Sequence, residues 1–186
     1  MERELSYFGE FMKDHFRDSV SRDAFDMLCG KPLGFGIGRI VFEHATDKSL
    51  VLKFEDSAGS FQNIHEWDLW KQHSHAGTST VDWLAPCVSI SPNGIVLLQK
   101  RTKKVPWDFK LPKMVPNVLN CDLKRDNWGL YKGKLVCHDY GRHDAISEAS
   151  KARGRGNMVR ANWIGASQRG YFVPLYGNSG ATGKVI

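Results

Sequence analysis

Residues 121–141 read CDLKRDNWGLYKGKLVCHDYG, and the interpretation of this stretch decides the fold. NWGLY and KLVCHDY are short runs rich in β-branched and aromatic residues on either side of Lys132-Gly133, a pattern that predicts two strands about a tight turn. Asp122, Lys124 and Asn127 precede the first strand, and Asp139 follows the second. Two readings fit. The residues form a turn-rich polar hairpin whose Asp and Asn side chains satisfy nearby backbone groups, or they gather carboxylate, ammonium and amide groups around a metal-bound phosphate, for which hard oxygen ligands are required.

Working outward, the segments RIVFEH and SLVLKFE predict antiparallel strands joined at Thr46-Asp47-Lys48. The turn-rich GFGIG lies just before them. FQNIHEWDLWKQH has helical spacing, with Glu66, Leu69 and Trp70 on one face and a break at Ala76-Gly77-Thr78. CVSIS and GIVLLQK predict two more strands about Pro92-Asn93-Gly94, since Asn-Gly is a strong hairpin signal. Pro106, Pro112 and Pro116 exclude a long helix between residues 105 and 118. Earlier, apolar residues from Leu5 to Val20 recur at steps of three and four, as in an amphipathic helix. SRDAFDMLC predicts a second helix with Ser21 as N-cap and Gly30 as stop. Trp67, Trp70 and Trp83 are expected as core anchors, and His73 and His75 as exposed polar residues.

Composition narrows the classes further. The chain has 186 residues, 41% of them hydrophobic, and a formal charge of +6. That length suits one domain with an appendage and can bury a core. No apolar run approaches the roughly 20 residues needed to span a bilayer, and the opening MERELSYFGEFMKDHF alternates charged with apolar residues, unlike a secretory signal. A cytoplasmic location without membrane contact is expected. Four cysteines with no C-x-x-C pair are expected as reduced thiols. Residues 142–186 hold seven Lys/Arg against two Asp/Glu, whereas residues 1–141 hold nineteen against eighteen. The basic excess, including KARGR, is a candidate nucleic-acid or acidic-partner contact, or a solvated face.

Taken in order, these pieces resemble the protein-kinase-like fold: Gly34-Phe35-Gly36 with Val41, then Lys53 ending Leu50-Val51-Leu52-Lys53, Glu66 on the next helix, Asp122-Leu123-Lys124-Arg125-Asp126-Asn127, and Asp139-Tyr140-Gly141. They are similar in particular to the small kinase-like proteins encoded by tailed bacteriophages. The resemblance implies an α+β fold with an antiparallel-sheet N-lobe, one key helix and a strongly reduced C-lobe. The corresponding division is a helical extension over 1–30, an N-lobe over 31–104, a reduced C-lobe over 105–150 and a basic, partly flexible tail over 151–186.

It also implies ATP and Mg²⁺ as cofactors. Gly34, Gly36 and Val41 would border the nucleotide, and Lys53, aimed by Glu66, would reach its α/β-phosphates. Asp139 and Asn127 would hold Mg²⁺, Asp122 would receive the proton of the attacking hydroxyl, and Lys124 would stabilise the transferring phosphoryl group; Asp126 is left as a surface carboxylate. The acceptor implied is a protein hydroxyl, of a host protein or of the chain itself, in the host cytoplasm.

The sequence departs from the pattern in four places. Arg39 stands where the third glycine belongs, Asn120 and Cys121 replace the usual His-Arg, no A-P-E element follows, and only 45 residues remain after Gly141. An alternative class therefore stays open: a kinase-shaped binding protein that captures a host protein or nucleic acid and performs little chemistry.

Overall fold

The computed structural model describes residues 19–36, 38–55, 60–120, 122–141 and 158–164. The predicted helix from Leu5 lies almost wholly outside them, as do Cys121, the KARGR cluster and the chain end. The described residues form an α+β structure. Helix α1 (Ser19–Leu28) leads into β1 (Cys29–Gly36), β2 (Arg39–His44) and β3 (Leu50–Glu55), followed by helix α2 (Gln62–His75) and the strands β4 (Cys87–Ile90) and β5 (Val96–Lys100). These five strands make one antiparallel sheet in the order β1-β2-β3-β5-β4.

The hairpins form where local chemistry specifies them. At the β2–β3 turn His44 Nδ1 accepts the N–H of Asp47 at 3.1 Å, and Asp47 Oδ1 accepts the N–H of Ser49 at 2.9 Å. At the β4–β5 turn Gly94 takes φ +77°, which an L side chain rarely adopts. Strand β1 was not anticipated, because Pro32 and three glycines obscure it. Its place at the sheet edge, with two register shifts against β2, is where a strand tolerates such residues. Gly30, expected to stop α1, lies inside β1, and Ser21, expected as its N-cap, lies inside the helix.

Period-two alternation gives the sheet two different faces. One carries Ile40, Phe42, Leu52 and Phe54 and is covered by α1, whose Phe25 ring meets Phe42 edge-on at 5.2 Å. The other carries Arg39, Lys53, Glu55, Leu97 and Gln99, all buried, with α2 lying against it. The buried residues of α2 are Asn63, Glu66, Leu69 and His73. His73 is therefore not the exposed residue its sequence context suggested; its Nδ1 meets Thr78 Oγ1 at 2.7 Å.

Beyond β5 the described residues form short elements only, as the prolines require between residues 105 and 118. Strands β6 (Lys103–Lys104), β8 (Trp128–Tyr131) and β9 (Lys134–Cys137) make a three-stranded sheet, and β7 (Met114–Pro116) pairs with β10 (Met158–Arg160). The β8–β9 turn places Lys132 and Gly133 at φ +49° and +79°, the geometry of a two-residue hairpin loop. Trp128 anchors this body, with its ring edge-on to Trp83 and Trp163 at 6.4 and 5.1 Å. Trp67 and Trp70 pack against the same core. No helix among the described residues is long and apolar enough to cross a membrane.

Candidate functional site

Lys53 points from β3 toward α2 because it alternates with the apolar Leu52 and Phe54. There its Nζ lies 2.7 Å from Glu66 Oε2, and it also donates to the carbonyl of His138. Glu66 has no solvent exposure. Its second oxygen, Oε1, accepts the Tyr140 N–H at 3.2 Å and sits 2.8 Å from Arg39 Nη2. The same Nη2 pairs with Asp139 Oδ1. Residues distant in sequence thus meet around one buried carboxylate, with two cations, Lys53 and Arg39, balancing two anions, Glu66 and Asp139.

The position of Glu66 follows from how α2 begins. The Glu55 carboxylate accepts the N–H groups of Gln62 at 2.7 Å and Asn63 at 3.2 Å, which satisfies donors the first turn leaves free. Asn63 then ties the helix to the sheet: its amide donates to the carbonyls of Lys53, Gly94 and Ile95 at 2.9–3.1 Å, and its Oδ1 faces Arg39 Nη1 at 3.4 Å. Gly141 seats the other end. A Cβ there would lie 2.3 Å from the Gln62 carbonyl oxygen, so only glycine lets the Asp139-Tyr140-Gly141 segment cross the start of α2. Tyr140 fixes the segment from below by donating its hydroxyl to the Ala85 carbonyl at 2.7 Å.

The Asp122–Asn127 segment reaches the same place through the backbone. The His138 N–H donates to the Asn127 carbonyl at 2.8 Å, which sets Asn127 beside the residue preceding Asp139. Asn127 Nδ2 donates to the Asp122 carbonyl at 3.3 Å, so the amide oxygen is its remaining acceptor. Lys124 Nζ lies 3.4 Å from the Asp122 carboxylate, and Asp126 is exposed, as expected. His138 Nε2 faces the Asp126 carbonyl, which can only accept, so this nitrogen carries the proton and Nδ1 accepts from Thr102 Oγ1 at 2.9 Å.

The glycine-rich turn borders the quartet. Gly34 pairs with Val41 and Gly36 with Arg39, while Val41 stands opposite Lys53 across β2 and β3. A Cβ at Gly34 would meet nothing within 4 Å, and one at Gly36 only the Arg39 carbonyl at 3.8 Å. Neither glycine is demanded by packing. Gly38, at φ +76°, is the one the turn itself requires.

Charge follows geometry. Burial opposes the ionised forms of both Arg39 and Asp139. Their partners outweigh it: Glu66 and Asp139 hold the Arg39 guanidinium above its ordinary range, and Arg39 and Lys53 hold the Asp139 carboxyl below the usual aspartate range. Burial, then Lys53, lowers His138. Burial also pushes Cys29 and Cys87 up to about 12, so these thiols are inert at neutral pH.

Asp139, with 44% of its side chain exposed, and Asn127 offer a carboxylate and an amide oxygen. Both are hard donors of the kind Mg²⁺ takes alongside phosphate oxygens and water. No group of three or more His, Cys, Asp or Glu among the described residues is placed to hold a metal unaided. Arg39, Asn63 and His138 were not foreseen as parts of the site. Arg39 and Asn63 carried a signal: Arg39 shares the strand period of Val41, and Asn63 lies one turn before Glu66. No protein-family model matches the chain, and no curated protein matches it.

Proposed function

We propose that the chain is an ATP- and Mg²⁺-dependent phosphotransferase on a reduced protein-kinase-like frame, passing the γ-phosphoryl group to a protein hydroxyl or to itself. The observation that carries this reading is the buried Lys53–Glu66 ion pair at 2.7 Å, with Asp139 drawn to the same point. In phosphoryl transfer the protein's task is positioning and charge neutralisation, and this arrangement suits both. Lys53 would hold the α/β-phosphates against Gly34 and Gly36, with Val41 beside the nucleotide. Asp139 and Asn127 would hold Mg²⁺, which when bound neutralises charge on the phosphates. Asp122 would take the proton as the acceptor oxygen bonds to the γ-phosphorus and the bond to the bridging oxygen breaks, releasing ADP; Lys124 would face the group in flight.

Incubation with γ-labelled ATP and Mg²⁺ tests this directly. Label should appear on the chain or on an added protein, vanish in Asp139→Asn, and fall at least about a hundredfold in Asp122→Asn, the usual worth of a positioned general base. Transfer undiminished in Asp122→Asn, or no transfer by the wild type to any protein, contradicts the reading.

One observation favours a second reading. Asp139 already has a counter-ion in Arg39, as a kinase-shaped protein that captures a host protein or nucleic acid without chemistry would allow. Partner binding unchanged in Lys53→Ala and Asp139→Asn, together with absent transfer, would select it. The basic residues that would meet nucleic acid lie mostly outside the described structure.

A further inference from the structure

Arg39 occupies the position at which the resemblance calls for glycine, and it does not point into solvent. Strand register sets it opposite Glu55 on the α2 side of the sheet, with 5% of its surface exposed. Its guanidinium is held at Glu66 Oε1, Asn63 Oδ1 and Asp139 Oδ1. Lys53 and Arg39 face Glu66 and Asp139 there, and the buried Glu55 carboxylate also acts on Arg39. A divalent ion arriving at Asp139 meets a carboxylate whose charge is engaged and a fixed positive group sharing it. Both effects weaken metal binding.

Resting on the nucleotide-site reading above, we propose that Arg39 sets the metal affinity of this site: it holds Asp139 in place of a divalent ion, so that nucleotide is gripped mainly through Lys53 and binds nearly as well without Mg²⁺. Asp139 would be open to a metal only as Arg39 gives up its contact with it. Arg39 is a positioning residue in this account, and its effect is read in binding rather than in turnover.

The test is the calorimetric affinity for a non-hydrolysable ATP analogue in excess Mg²⁺ and in EDTA. For the wild type the two affinities should agree within about threefold. Arg39→Gln frees Asp139, and its affinity in Mg²⁺ should exceed that in EDTA by at least about tenfold, or about 1.4 kcal/mol. Arg39→Lys keeps the charge and should resemble the wild type, while adding Asp139→Asn to Arg39→Gln should abolish the gain. A wild type whose affinity falls by more than about threefold in EDTA overturns the inference and leaves the nucleotide site standing, whether or not Arg39→Gln folds. Equal affinities for Arg39→Gln in the two solutions overturn it as well. Absence of analogue binding by the wild type in both solutions overturns the site reading and this inference with it.

Discussion

Glu66 is the point at which the charged groups of the site meet. It is fully buried and accepts from Lys53, Arg39 and the Tyr140 N–H. Removing it leaves Lys53 without its carboxylate and Arg39 with Asp139 as its remaining ion-pair partner, and breaking a buried ion pair costs about 3–5 kcal/mol. Glu66→Ala should therefore lower stability by that amount or more in urea titration. Lys53→Met should cost clearly less, because Glu66 retains Arg39; equal losses would show that the hub is not shared as described. Two histidines, His73 buried and His138 half-buried, give a pH dependence. His73 and His138 are both held below their ordinary value of 6.5, chiefly by burial. On acidification the unfolded chain binds protons first, so stability is lost as pH falls below the unfolded value and levels off only below the folded one. Asp139, also depressed, adds a further loss only at strongly acidic pH, as its folded value is crossed. The urea midpoint should fall between about pH 7.5 and about pH 5.5, with a smaller drop in His138→Asn; an unchanged drop would exclude His138 as a source.

At the level of elements, the hairpins β2–β3, β4–β5 and β8–β9 and the helix α2 were legible, because their turns and periodicities are written in adjacent residues. Thr46-Asp47-Lys48, Asn93-Gly94 and Lys132-Gly133 each close a turn by local geometry. Strand β1 was not legible, since Pro32 and its glycines argue against a strand and only pairing with β2 overrides them. The partners of Arg39 and Asn63 could not be read for a related reason. Contacts at Asp139, Gly94 and Ile95 depend on how α2 docks against the sheet. Gly141 controls that docking. Gly141→Ala drives a Cβ into the Gln62 carbonyl, and overpacking of this kind costs about 1–3 kcal/mol. Gly133→Asn, in open space at positive φ, should cost less, because asparagine tolerates the left-handed region better than most side chains. Thermal unfolding of the two variants checks the contrast, and equal melting temperatures would refute it.

For the molecule as a whole, the five-stranded sheet supplies Arg39, Lys53 and the glycine-rich edge, α2 supplies Glu66, and the region after β5 supplies Asp122, Asn127 and Asp139. The candidate residues named from sequence fall into one connected neighbourhood, through direct contacts for Lys53, Glu66 and Asp139 and through the backbone for Asn127 and Asp122. That convergence is a fold-level fact; what it does rests on whether a triphosphate enters it. Calorimetric titration of ATP into wild type and Lys53→Met, each shown to be folded, tests this most directly. The account predicts one ATP per wild-type chain and at least about a hundredfold weaker binding by Lys53→Met, as loss of a charge-assisted phosphate contact worth about 3 kcal/mol requires. Equal binding by the two proteins, or none by the wild type, would contradict it.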